Sequence, residues 1–396
     1  MNILMTTIFS YPHEGGLSSH ITTLKSGLES MGHTVDILSF SHLPPFRKTL
    51  LAKAPGFLLN SMKKGSGQLF NDRQRMKLLT ATIKKSTKRY DIIHAQDIFA
   101  TLASIEAGIP TIQTVHGYYS FEAISRGAIF ENSEEDLLLQ EYERKAYRSA
   151  TKVVTVDRRI KEYIGHAAHV EATTIKNFID VTAFKPKTTN REETQKRFLI
   201  PSHKRMLLVP RRMTEKNGVI YPLLALPEVL KKNPDTVLVY AGTGEQQSKL
   251  EETATKLCLQ ESVLFLGSVP YENMNNVYGA SDIVLIPSVH SHGVEEATSI
   301  SALEAMGSGS PVIASRIGGL KEIITDGEDG LLVEEKNPVE LAQAITMLLN
   351  DSSQGERLAI KAREKIELEY SHLTAAKHFM DVYQEVLDTK TGRPKF

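Results

Sequence analysis

Glu296 and Glu304 stand eight positions apart in the segment Glu296-Ala-Thr-Ser-Ile-Ser-Ala-Leu-Glu304. Glu296 falls in a loop after the apolar run Ile283–Ile286 and its Pro287-Ser288 turn. Glu304 falls inside the helix that follows, for which Thr298 and Ser299 are candidate N-caps and Ile300 a first-turn residue. A helix that starts just after a strand offers free backbone N–H groups and a positive dipole end, which together suit a phosphate. The loop carboxylate then sits near whatever the phosphate carries, and the helix carboxylate reaches back one turn. Carboxylates accept from pairs of vicinal hydroxyls, so a sugar and a ribose are natural partners. Standing alone, the pair could equally be two surface acids near a helix start, so its meaning rests on its surroundings.

Those surroundings alternate short apolar runs with longer helical patterns, the grammar of βαβ units and parallel sheets. Strands are predicted at Asn2–Thr7, Thr34–Phe40, Ile92–Ala95, Thr111–Val115, Val153–Val156 and Glu171–Ile175. The pattern then restarts at Arg205–Val209, Val237–Ala241, Val263–Leu266, Ile283–Ile286, Pro311–Ala314 and Gly330–Val333. The fold class is therefore α/β, with two doubly wound Rossmann-like halves in series and ligand sites at the carboxyl ends of the strands. Apolar periodicity lapses over Asn177–Lys196, the predicted linker, which sets domains at 1–180 and 181–370. A helix over 371–390 is expected to pack back on the first domain.

Several other residues lie at such strand ends. Gly15-Gly16 follows the first strand, where a side chain would block close approach of a ligand to the backbone. His116 closes the fourth strand at a carboxyl edge; His94, within the third, reads as core. Arg211, Arg212 and Lys216 follow the first strand of the second half, Gly242 and Gly244 the second, and Val269 the third.

The chain has 396 residues, formal net charge zero and 41% hydrophobic residues, which fit a soluble two-domain protein and give no argument for nucleic acid. One cysteine fits a reducing compartment. With no signal-like segment and no apolar run of about eighteen residues, the expectation is a cytoplasmic protein. Between Arg47 and Arg89 there are twelve Lys or Arg and a single acid, Asp72, interleaved with Leu50, Leu51, Phe57, Leu58, Leu59 and Met62. This segment, 47–89, is either a solvated helical face or a surface for anionic lipid or an acidic acceptor; the lipid reading would make the protein peripheral on a membrane.

The segment Glu296 to Ala314 reads E-A-T-S-I-S-A-L-E-A-M-G-S-G-S-P-V-I-A. It resembles the hallmark of the family-4 retaining glycosyltransferases, E-P-F-G-x-x-x-L-E-A-M-A-x-G-x-P-V-I-A, with Ala297-Thr298-Ser299 in place of Pro-Phe-Gly. Gly15-Gly16, Val115-His116-Gly117, Pro210 to Gly218, Ala241 to Glu245 and Leu264 to Pro270 match further motifs of that family in order. The resemblance implies a GT-B fold, two Rossmann-like domains facing across a cleft. It implies a nucleotide-sugar donor, UDP before GDP, and a hydroxyl acceptor on a glycan or lipid. It also implies transfer with retention of anomeric configuration. Under it, Arg212, with Arg211 in reserve, and Lys216 neutralise the leaving diphosphate. Glu296 holds the donor sugar, Glu304 the ribose, and His116 the sugar from the other domain. Gly15, Gly16, Gly242, Gly244, Val269, Thr298, Ser299 and Ile300 line the donor. No metal or other cofactor is implied: the sequence has no D-x-D and no cluster at metal-ligand spacing. Two rivals share the architecture, a nucleotide-sugar 2-epimerase and a non-catalytic sugar-binding or coat-associated relative.

Overall fold

A computed structural model describes residues 1–13, 16–42, 59–60, 63, 65–125, 127–186, 191–291 and 298–391. Gly15, Glu296 and most of the 47–64 part of the basic segment lie outside these residues. The chain forms two compact units, Met1–Asn177 with His372–Phe396, and Phe178–Ser371.

The first unit runs β1 (Asn2–Thr6), α1 (Gly16–Ser30), β2 (Thr34–Leu38), α2 (Ser66–Lys84), β3 (Ile92–Ala95), α3 (Ile98–Glu106), β4 (Thr111–Val115), α4 (Tyr119–Ser125), α5 (Glu134–Ser149), β5 (Lys152–Thr155), α6 (Arg158–Ala168) and β6 (Ala172–Thr174). All its strands are parallel, in the order β2-β1-β3-β4-β5-β6. Helices on both faces bury β3 and β4 at every position, including the polar His94, Thr111, Gln113 and Thr114.

The second unit runs α7 (Arg191–Arg197), β7 (Arg205–Val209), α8 (Ile220–Lys232), β8 (Thr236–Tyr240), α9 (Gln247–Lys256), β9 (Val263–Phe265), α10 (Tyr271–Ala280), β10 (Ile283–Ile286), α11 (Ile300–Gly307), β11 (Val312–Ser315), α12 (Leu320–Ile323), β12 (Leu331–Val333), α13 (Pro338–Asn350) and α14 (Ser352–Glu369). Its parallel sheet has the order β12-β11-β10-β7-β8-β9. A last helix, α15 (His372–Thr391), lies in the first unit against α1. Gly27 on α1 permits the close approach, since a Cβ there would meet the His372 carbonyl oxygen at 2.8 Å.

The twelve strands lie where the apolar runs place them, with ends shifted by a residue or two. The linker differs. Phe178, Ile179 and Phe184 are buried, and Ile179 bridges Ser371, so the chain enters and leaves the second unit side by side. Arg363 on α14 donates Nη1 to the carbonyls of Phe184 and Gly307 and Nη2 to that of Val181, pinning the entry segment to the end of α11. The predicted linker also contains α7, whose buried face is Thr194 and Gln195. A polar face of this kind leaves no apolar period to read.

In an open sheet the order of strands reverses where the chain crosses from one side of its first strand to the other. In the second unit this falls between β7 and β10, in the first between β1 and β3. The loops at the carboxyl ends of these strands are where a ligand has room to enter.

Candidate functional site

Across the β7/β10 point the second unit carries a buried cation. Arg211 follows β7 and is 9% exposed. It donates Nη1 to Ser299 Oγ at 2.9 Å and Nη2 to Asn217 Oδ1 at 2.6 Å and Ser288 Oγ at 3.0 Å. Asn217 in turn donates to the Arg212 carbonyl at 2.7 Å, closing the Arg211–Asn217 loop on itself. Arg212 is exposed and Lys216 half-buried. The sequence ranks Arg212 ahead of Arg211; the structure turns Arg211 inward to the start of α11 and leaves Arg212 outside.

Ser299 occupies the N-cap position of α11 with extended backbone, yet makes no capping hydrogen bond. Its hydroxyl accepts from Arg211 instead, so Ser299 leaves the first-turn N–H groups of α11 uncapped by its side chain, beside a guanidinium. Thr298 and Ser299 are both buried, and Ile300 is half-buried. One turn on, Glu304 is buried, and Tyr278 from α10 donates its hydroxyl to Oε2 at 2.9 Å. Burial raises the Glu304 carboxyl from 4.5 to about 7, against which the Tyr278 hydrogen bond pulls it down.

Gly242 and Gly244 act on the same loop from β8. A Cβ on Gly242 would stand 2.3 Å from the Arg211 carbonyl oxygen, and one on Gly244 2.4 Å from that of Met213. Met213 N donates to the Thr243 carbonyl at 2.9 Å and Gln246 N to the Met213 carbonyl at 2.9 Å. The two glycines thus seat the arginine loop. Gly242 N also donates to the Gly267 carbonyl, tying in the β9 loop that carries half-buried Val269.

The first unit brings three histidines together. His116, half-buried after β4, places Nε2 2.9 Å from Gln96 Oε1. Its ring meets that of His20 from α1 edge-on at 4.6 Å between centroids. His20 Nδ1 is 3.1 Å from Asn177 Oδ1. His94 is buried, with Nδ1 2.8 Å from the Tyr383 hydroxyl and Nε2 2.6 Å from the Thr114 hydroxyl. Burial first, and the neighbouring imidazoles next, hold His116 well below its ordinary value; burial lowers His20 to about 4 and His94 to about 3. All three rings are therefore neutral at physiological pH. Gly16 opens α1 and is exposed.

Behind His116, buried Glu143 on α5 accepts from Tyr119 N at 2.9 Å and from the Tyr147 hydroxyl at 3.1 Å, which fixes the start of α4. Burial raises it to about 7. Asp97 caps α3 and accepts from Thr7 Oγ1 and Ile8 N, joining the ends of β1 and β3. Tyr278, Asn217, Gln96 and Glu143 are not singled out by the sequence. Each acts through a partner distant in the chain or through a turn, and no local spacing marks such a contact. Among the described residues no group of three or more His, Cys, Asp or Glu could hold a metal ion, and no helix is long and apolar enough to cross a membrane.

Residues 14–183 match the family model described as Glycosyltransferase Family 4, and residues 190–365 that described as Glycosyl transferases group 1. An uncharacterised glycosyltransferase of Methanocaldococcus jannaschii is 29% identical over 98% of this chain and 99% of its own. Sucrose-phosphate synthase from Thermosynechococcus elongatus superposes with a TM-score of 0.75 over 98% of this chain and 99% of that one, at 18% identity. The Anabaena protein HepE, in complex with UDP and glucose, gives 0.72 over 97% and 100%, also at 18% identity. At such identities the two structures speak for the fold alone.

Proposed function

Since the chain belongs to the family-4 GT-B glycosyltransferases, we propose that it moves a hexose from a nucleoside-diphosphate sugar to a hydroxyl acceptor with retention of configuration. The observation that carries this reading is the Arg211–Ser299 hydrogen bond across the β7/β10 point. It sets a guanidinium beside the open N–H groups of a helix, with a buried carboxylate one turn further on. A diphosphate is the ligand that answers both features.

In this reading Arg211 and Lys216, with the α11 N–H groups, neutralise the leaving diphosphate, so the charge stabilisation needs no metal ion. Glu304 takes the ribose hydroxyls. Glu296, placed by the sequence motif, holds the sugar hydroxyls and stabilises the positive charge that develops on the ring. His116 contacts the transferred sugar. The acceptor hydroxyl enters on the face the diphosphate leaves, and a donor phosphate oxygen takes its proton. A UDP-hexose is the first donor to test, because HepE holds UDP and glucose.

The test is incubation with UDP-, GDP- and ADP-hexoses, with product read by NMR for anomeric configuration. Release of nucleoside diphosphate with retention supports the proposal. Interconversion of epimers would instead make the chain an epimerase, and binding without turnover a sugar-binding module.

A further inference from the structure

Gln96 and His116 emerge side by side from two paired strands, β3 and β4, whose register sets Ala95 opposite Gln113. Gln96 is 2% exposed, and its backbone N–H donates to the Thr6 carbonyl at 2.9 Å, so the residue is held at the end of β1 as well. Its side-chain oxygen lies 2.9 Å from His116 Nε2. His20 Nδ1 faces the Asn177 amide oxygen at 3.1 Å and so carries its proton there, whereas the partners of His94 decide little about proton position. His94 meets two hydroxyls, Tyr383 and Thr114, and a hydroxyl can donate or accept. An amide oxygen only accepts, so Nε2 of His116 must carry the proton. His116 Nδ1 has no hydrogen-bond partner among the described residues.

We propose that Gln96 is a positioning residue that locks His116 as the Nε2–H tautomer, presenting a bare Nδ1 as hydrogen-bond acceptor to a hydroxyl of the transferred sugar. This rests on the reading of His116 as a sugar contact. The ring serves that role neutral: a second proton would remove the acceptor and set a positive charge beside a sugar that gains positive charge as its diphosphate leaves. The titratable groups facing His116 are His20 from α1 and His94 from β3, both themselves neutral. The neutral state is thus built into the whole cluster.

The experiment is long-range proton–nitrogen NMR on full-length protein labelled at histidine nitrogens, with His116 assigned by its loss in His116→Asn. Wild type is expected to show Nε2 protonated and Nδ1 bare. Gln96→Leu should lose that fixed preference and lower kcat/KM about tenfold, the loss of one hydrogen bond, with UDP affinity unchanged. Gln96→Glu keeps an acceptor at Nε2 but adds a negative charge, so the His116 pKa rises. At saturating donor, kcat in that variant should fall as pH drops through the new value, an acid limb that wild-type kcat lacks. A proton on Nδ1 in wild type overturns the proposal, as does a Gln96→Leu variant with unchanged tautomer. The NMR readout stands without activity, so absence of sugar transfer would count against the functional reading and leave the tautomer measurement to be judged separately.

Discussion

The buried Glu304 carboxyl makes donor affinity depend on pH with a predictable sign. In the proposed reading ribose hydroxyls donate to it most strongly when it is ionised, and burial has raised its pKa from 4.5 to about 7. At pH 5.5 roughly 3% of the sites are ionised, and at pH 8.5 nearly all. Affinity for a UDP-hexose should therefore rise over that range, by up to about thirtyfold or about 2 kcal/mol, and level off above about pH 8. UDP-glucose is the suitable probe, because its diester phosphates take up no proton in this interval. Isothermal titration of wild type and Glu304→Gln gives the comparison: the amide variant should show a flat profile and weaker binding at pH 8.5. Tyr278→Phe removes a hydrogen bond to the ionised form, so its midpoint should move up. The same shift carries a stability term of opposite use. A carboxyl raised in the folded state stabilises fully below pH 4.5, and that contribution is lost as pH rises through about 7. Glu143 acts with the same sign, so Glu304→Gln should remove only part of the pH dependence of melting. A wild-type affinity that is flat from pH 5.5 to 8.5, or a slope that survives in Glu304→Gln, would refute the reasoning.

Four further outcomes can be checked. Arg211→Ala removes the guanidinium bonded to Ser299, Asn217 and Ser288 and should lower kcat/KM by about a hundredfold or more, as loss of a charge-stabilising donor does. Arg212→Ala, at an exposed position, should stay within a few-fold; the reverse order in steady-state kinetics would restore the sequence-based ranking. Gly244→Ala forces a methyl against the Met213 carbonyl, 2.4 Å from its ideal position. Its melting temperature should drop by several degrees, a destabilisation of about 1–3 kcal/mol, and an unchanged melting curve would show the loop to be yielding. Full-length protein should co-sediment with anionic liposomes through the basic segment 47–89 in a salt-sensitive way; no sedimentation at low salt returns that segment to a solvated face.

The central strands of the second sheet, such as β8 and β10, were legible because they are buried at every position and read as apolar runs. Their order was not, since runs such as Ile283–Ile286 and Arg205–Val209 carry no mark of which neighbour they pair with. That pairing is what sets the switch point and hence the site. Glu304 was readable from its distance to Glu296, but its burial and its bond to Tyr278 depend on how α10 packs on α11. Ser299 was readable as a cap by residue type, and the cap bond is replaced because Arg211 reaches the same hydroxyl from another strand. Gly242 and Gly244 read as ligand-facing glycines, while the clash their side chains would cause lies with the loop of Arg211 to Met213. In each case the residue type pointed to the site, and the partner came from a distant segment.

The most direct test of the account is Glu296→Ala assayed beside wild type with the donor that wild type turns over. Transfer should be abolished while titration still shows donor binding, because Arg211, Lys216, Glu304 and the α11 start remain to hold the nucleotide. Turnover equal to wild type would contradict it, since the sugar would then be held and activated by groups other than those assigned.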